Sequence, residues 1–286
     1  MKKSKILTFI MVCVMAIASV FSFAGCQGKL AMGKEMVKYK TQFDSIVALN
    51  NDSVDAIVID SIMAGYYSVE GSYAGKISIV PNLVLAEEEY GIAGRKGDVS
   101  FMSKINEALI ALNDLGTMET IANNFGVNDS LTINSSTTNP LTSATDNSWE
   151  KIKSSKKIVI GYTVFAPIAY DINGVLTGFD IELARAAVAY LNTVYNTEID
   201  LEFVIIDWNA KEALLENETI DLIWNGMTIT EEREEAMCIS VPYLANRQVA
   251  VVKKENVANY TDKASFENAV IGVEKGSAGM SVVKGK

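Results

Sequence analysis

Short apolar runs that stop at an acid, a glycine or a polar turn, each followed by helically spaced residues, recur along this chain. They restrict it to folds in which strands and helices alternate. Ala56-Ile-Val-Ile-Asp60 leads into a helical stretch from Ser61 to Tyr67, and Ile158-Val-Ile-Gly161, Leu201 to Ile206, Asp221 to Trp224, Gln248 to Val252 and Val270 to Val273 repeat the pattern. Largely unbroken apolar runs of this kind read as strands covered on both faces, as helices cover a parallel sheet. Phe101, Ile105, Ala108, Leu109 and Leu112 share one helical face, as do Leu183, Ala186, Ala187, Tyr190 and Leu191. Ile77 to Val80 and Tyr90 to Ala93 read as two short strands, and Phe43 to Asn50 as a helix. The expected class is α/β with mostly parallel sheets.

A length of 286 residues with 49% apolar content is enough for two modest lobes with real cores. The formal net charge of -10 makes nucleic acid and anionic membrane surfaces poor partners, since both require a basic footprint. The chain contains no histidine, which excludes Ser-His-Asp and Cys-His catalysis, His-ligated zinc and a histidine pH switch. Of three cysteines only Cys238 lies beyond the N-terminal segment, so no internal disulfide is expected there, and Cys238 reads as a small core residue.

Residues 1–26 combine Lys2-Lys3-Ser4-Lys5, an apolar run from Ile6 to Phe23, and Ala24-Gly25-Cys26. This is the pattern of a lipoprotein signal peptide, with Cys26 as the lipidated N-terminus; the alternative is an uncleaved anchor helix. Either tethers the protein outside the cytoplasmic membrane. Residues 127–149, rich in Ser, Thr and Asn, offer little that could bury a face and read as a flexible linker.

Several motifs then act together. Gly178-Phe-Asp180 opens an amphipathic helix, Trp224-Asn-Gly-Met-Thr-Ile-Thr-Glu-Glu-Arg233 follows a strand, and Ser240-Val-Pro-Tyr243 and Gly276-Ser277 come after. This succession resembles the opening portion of the bacterial extracellular solute-binding proteins that capture amino acids for ABC importers. The closing portion of that family resembles residues 37–126, through Tyr39, Phe43 to Leu49, Val54-Asp55-Ala-Ile-Val-Ile-Asp60, Tyr90-Gly91-Ile92, Arg95-Lys-Gly-Asp98 and Phe125-Gly126.

Both halves are present in swapped order. The resemblance therefore implies a two-lobe periplasmic-binding-protein fold of type II, circularly permuted, with a fragment of a tandem array as the alternative. On that division residues 27–88 are the second part of lobe 2, 89–126 close lobe 1, and 127–149 link the old termini. Residues 150–247 open lobe 1, and 248–286 hold a hinge and the first part of lobe 2. A flexible linker of this length spans roughly 27 Å r.m.s., at 5 to 6 Å times the square root of its residue count.

Arg233 taken alone reads as a solvated turn offset by four glutamates; the resemblance implies that its guanidinium grips a ligand α-carboxylate with both oxygens. It implies also that Thr228 bonds that carboxylate, and that Gly226 lets backbone approach the ligand and offers its carbonyl to the ammonium. Ser277, at a helix start whose free amides attract an anion, is a second grip or simply an N-cap. Asp60, at the carboxyl end of a strand, holds the ammonium or caps the next helix. Phe165 and Trp208 flank the ligand side chain or belong to the core. Tyr162-Thr163 lacks an acid at the pocket mouth, which disfavours a cationic side chain. The implied activity is capture of a free amino acid and delivery to a membrane permease, without catalysis or cofactor, by a monomer. The open alternatives are an amino-acid sensor uncoupled from transport, and an enzyme on the same fold, dehydratase-like or a lytic transglycosylase.

Overall fold

The computed structural model describes residues 30–285. The signal peptide expected over 1–26, with Cys26, lies outside the described residues.

Strand β1 (Glu35–Tyr39) leads to α1 (Gln42–Asn50), whose start is fixed by a reciprocal cap. The Asp44 amide donates to the Thr41 hydroxyl at 3.0 Å and the Thr41 amide donates to the Asp44 carboxylate at 3.1 Å. β2 (Ala56–Asp60) is buried at every position and feeds α2 (Ser61–Val69). β3 (Ile77–Arg95) follows, then α3 (Val99–Asp114) and α4 (Thr117–Asn124). Next come α5 (Ser148–Ser155), β4 (Lys157–Tyr162), a hairpin of β5 (Tyr170–Ile172) and β6 (Val175–Thr177), and α6 (Phe179–Tyr195). Gly178 at the start of α6 has φ +127°, and a Cβ there would collide with the Ile168 carbonyl. The chain continues through β7 (Asp200–Ile205), α7 (Lys211–Glu216), β8 (Leu222–Thr228), α8 (Glu231–Ala236) and β9 (Met237–Ile239). β10 (Leu244–Lys253), β11 (Val270–Glu274) and α9 (Ala278–Lys284) complete it.

Among the described residues one sheet runs in the order β1-β11-β2-β10-β3-β8-β4-β7, with β9 on β3. β1, β11 and β2 are parallel and form lobe 2 with one end of β3 and β10; β8, β4 and β7 are parallel and form lobe 1 with the other end. Between the lobes β3 and β10 run as an antiparallel ribbon, Tyr90 opposite Leu244 and Ile77 opposite Lys253. The α/β two-lobe expectation holds, and its cause is visible in burial. The inner strands β2 and β8 are wholly buried, whereas the edge strand β7 is exposed or half-buried along its length. α6 buries Phe179, Leu183, Ala184, Ala187, Val188 and Leu191 along one face, next to the side of α3 that carries Phe101, Ile105 and Leu109.

Three local readings differ from the structure. Ile77 to Ala93 is one strand: Pro81 and Asn82, the latter at φ +60°, interrupt its regular pairing without ending it. Gly226 and Thr228 lie inside β8, which runs four residues beyond Trp224. Residues 127–149 are held against lobe 1 and do not form a free coil. Val127, Ile133 and Trp149 are buried, the Thr132 backbone amide donates to the Tyr243 carbonyl at 3.1 Å, and the Asn139 side-chain Nδ2 donates to the Ser103 carbonyl at 2.8 Å. Asp146 is slightly buried, but donors from Ser148 and Ser100 hold its carboxyl down to about 2. Isolated apolar residues anchor this strap, and its many polar side chains satisfy the backbone between them.

Cys238 is half-buried against the main core, and burial pushes its thiol up to about 11. No helix among the described residues is long and apolar enough to cross a membrane.

Candidate ligand-binding site

The carboxyl ends of parallel strands from both lobes meet at one place, β2 and β11 from lobe 2 facing β4 and β8 from lobe 1. A narrow, largely polar cavity lies there. The structure gathers Asp60, Phe165, Trp208, Gly226, Thr228, Arg233 and Ser277 around it. Asp60 and Ser277 come from lobe 2 and the other five from lobe 1.

Arg233 sits on the short helix α8, which starts where the Arg233 amide donates to the Thr230 hydroxyl at 3.2 Å. Its side chain is buried, unlike its four glutamate neighbours. One Nη1 proton goes to the Thr228 carbonyl at 2.6 Å, and Nη2 crosses between lobes to the Gly276 carbonyl at 3.3 Å. Of five donors on the fork, three remain.

Asp60 ends β2 with its carboxylate surrounded. Tyr90 Oη donates at 2.9 Å, Gln248 Nε2 at 2.9 Å and Asn246 Nδ2 at 2.5 Å, and Gln42 Nε2 also donates. The Asp60 side chain makes no cap to α2, so the N-cap alternative is not realised. Asn246 and Gln248 also donate to Glu88, at 2.5 and 2.7 Å, drawing a second carboxyl beside the first. Burial and the adjacent Asp60 charge raise the Glu88 pKa.

Gly226 takes φ +57°, and a Cβ there would stand 2.8 Å from the Phe165 ring. Its amide donates at 2.7 Å to Asp180, which also accepts from Tyr243 Oη at 2.8 Å. Asp180 is fully enclosed, and burial pushes its carboxyl up to about 7 against the pull of those two donors. Phe165 meets Tyr90 edge to face at 6.3 Å. Trp208 lies in a short 3-10 turn, and Lys211 sits over its ring at 4.9 Å. Ser277 uses its hydroxyl as the α9 cap, accepting from the Met280 amide at 3.1 Å and donating to the Glu274 carbonyl at 2.9 Å. Trp224 is core.

Beside Thr163, read from the sequence as part of the pocket mouth, the cavity holds residues that sequence reasoning passed over: Gln42, Met63, Asn225, Glu274 and Ala278. Thr163 and Asn225 bond to each other at 2.8 Å. Glu274 carried a readable signal, an acid at the carboxyl end of a strand, which is the argument that singled out Asp60. Burial and the Asp60 charge push it up to about 8, against Lys211, Gln42 and Arg233.

Fold and cavity together define a two-lobe α/β protein with a polar pocket between its lobes. Residues 158–281 match the bacterial extracellular solute-binding proteins, family 3. The glutamine-binding protein of Geobacillus stearothermophilus is 32% identical over 127 residues, covering 41% of this chain and 45% of that protein. The arginine-binding extracellular protein ArtP of Bacillus subtilis (strain 168) is 28% identical over 124 residues, covering 43% and 45%. A solved ABC uptake transporter substrate binding protein from Streptococcus pneumoniae, with bound histidine, is 41% identical over 32% of this chain and 35% of its own, with a TM-score of 0.27. The chain spans less than half the length of these relatives in each match.

Proposed function

We propose that this protein captures a free amino acid in the interlobe cavity and delivers it to an ABC permease, held outside the cytoplasmic membrane through Cys26. One observation carries the reading: a buried guanidinium with free donors, Arg233, and a strand-end carboxylate, Asp60, line the same cavity from opposite lobes. Opposite charges on two lobes suit the two ends of a zwitterion. Thr228, Gly226 and Ser277 supply polar contacts around the carboxylate, and Phe165 and Trp208 supply apolar walls. Relatives named for glutamine and arginine support the ligand class and leave the side chain open. No bond is broken in this activity.

The chain order is read as a circular permutation. β1 and β2, from one part of the sequence, flank β11 from another within lobe 2, and the Ala31 amide donates to the Val283 carbonyl at 3.0 Å. The strap over 127–149 joins α4 to α5 within lobe 1.

A thermal-shift screen of the free amino acids, followed by calorimetry on those that stabilise the protein, tests the ligand class. Absence of any stabilising amino acid overturns the reading. Amino-acid uptake measured in the native cells with and without this chain separates transport from sensing.

A further inference from the structure

Asp60, Glu274 and Arg233 are the charged residues lining the cavity, two carboxyls against one guanidinium. An amino-acid zwitterion uses one positive and one negative partner, so one carboxyl is left over. The two carboxyls differ in what they already hold. Asp60 receives Gln42, Tyr90, Asn246 and Gln248, close to the four acceptor sites of a carboxylate. Glu274 is 3% exposed, and its Oε1 is buried with no hydrogen-bond partner among the described residues. A buried acceptor left without a donor is destabilising, and native proteins seldom keep one without a use.

The cations nearby are engaged elsewhere. Lys211 Nζ donates to the Trp208 carbonyl at 3.3 Å and pairs with Glu212 at 2.9 Å. Arg233 is directed to the Thr228 and Gly276 carbonyls. Resting on the amino-acid reading above, we propose that Glu274 receives the cationic group of the ligand's side chain, so that the ligands are amino acids bearing a side-chain guanidinium or ammonium. Lobe 2 thereby supplies the acid that the Tyr162-Thr163 strand of lobe 1 lacks. A cationic amino acid balances the cavity with Glu274 ionised, whereas a neutral one balances it only with Glu274 protonated. The Trp208 and Phe165 rings offer aromatic surface to a guanidinium or an alkyl stem.

A proton moves with the ligand. Glu274, raised to about 8, holds its proton at pH 7 until a cation arrives. The cation favours the carboxylate, and the proton leaves to the buffer. The groups facing Glu274 are Asp60 of β2, Lys211 of α7, Arg233 of α8 and the Gln42 amide of α1, with Tyr39 of β1 paired to it along the backbone. The first turn of α9 adds no charge.

Calorimetry on the full chain at pH 7 compares arginine with citrulline, its neutral near-isostere, in two buffers of different ionisation enthalpy. Arginine binds roughly 10- to 150-fold more tightly, the range of one charge-assisted hydrogen bond, and its heat differs between buffers as a released proton requires. Glu274→Gln collapses the arginine preference and the buffer dependence. Citrulline equal to or tighter than arginine on the unaltered protein overturns the inference and leaves amino-acid binding intact. Full arginine preference in Glu274→Gln overturns the role of this residue. No binding by any amino acid removes both readings.

Discussion

Replacing Arg233 by lysine keeps a positive charge in the cavity and removes the planar fork, which isolates what the fork contributes. The guanidinium directs two donors to the Thr228 and Gly276 carbonyls, leaving three for a ligand carboxylate. An ammonium has three donors in all, so keeping both carbonyl contacts leaves one for the carboxylate. The loss of one charge-assisted hydrogen bond is about 1.5–3 kcal/mol, which weakens binding roughly 10- to 150-fold. Arg233→Ala goes further, because a ligand carboxylate then lies unpaired in a desolvated site, a loss of about 2–5 kcal/mol. Titration calorimetry at pH 7 gives the affinities. Urea unfolding of the ligand-free protein separates any structural cost of losing the bond to Gly276. If Arg233→Lys binds within about twofold of the parent, the bidentate grip is refuted.

Other outcomes follow from the same geometry. Gly226→Ala forces a Cβ against Phe165 at φ +57°, so ligand binding is lost and urea unfolding shows about 1–3 kcal/mol lower stability; unchanged binding would remove Gly226 from the site. Asp180 is protonated more readily folded than unfolded, so its contribution to stability falls as pH rises from about 4 to about 7. Asp180→Asn flattens that dependence, by up to about 4 kcal/mol, and a parent-minus-variant difference that grows with pH contradicts the assignment. Asn139→Ala frees the strap from Ser103, giving faster limited proteolysis within 134–146 and a loss of about 1–3 kcal/mol; an unchanged cleavage rate argues that Asn139 does not hold the strap.

The α/β class was legible because the buried strands are unbroken apolar runs, as at Ala56 to Ile59, and because α3 and α6 carry clear helical spacing. The strap was not legible, since Val127, Ile133 and Trp149 are too far apart to form a period and its anchoring polar bonds depend on partners distant in sequence, such as Ser103. Nor was the continuity of β3, where Pro81 and Glu87-Glu88-Glu89 look like an interruption; pairing with β10 carries the strand through. Within the site, residues at strand ends stood out by chemistry and position. Gln42 did not, because a glutamine at the start of a helix is ordinarily solvated, and only the fold brings it to Asp60.

Among the described residues just two stretches of backbone pass from lobe to lobe, the paired strands β3 and β10, and any rotation of one lobe against the other has to twist that ribbon. Points near the axis of a twist hardly travel, and points far from it travel most. Asp60 is tied to the ribbon through Tyr90, Asn246 and Gln248, whereas Trp208 stands on the opposite wall in the turn after β7. On the proposed reading, an arriving ligand's ammonium meets a carboxylate whose position changes little with the angle between the lobes. For a cationic ligand, as proposed above, association is then steered electrostatically and is faster at low ionic strength.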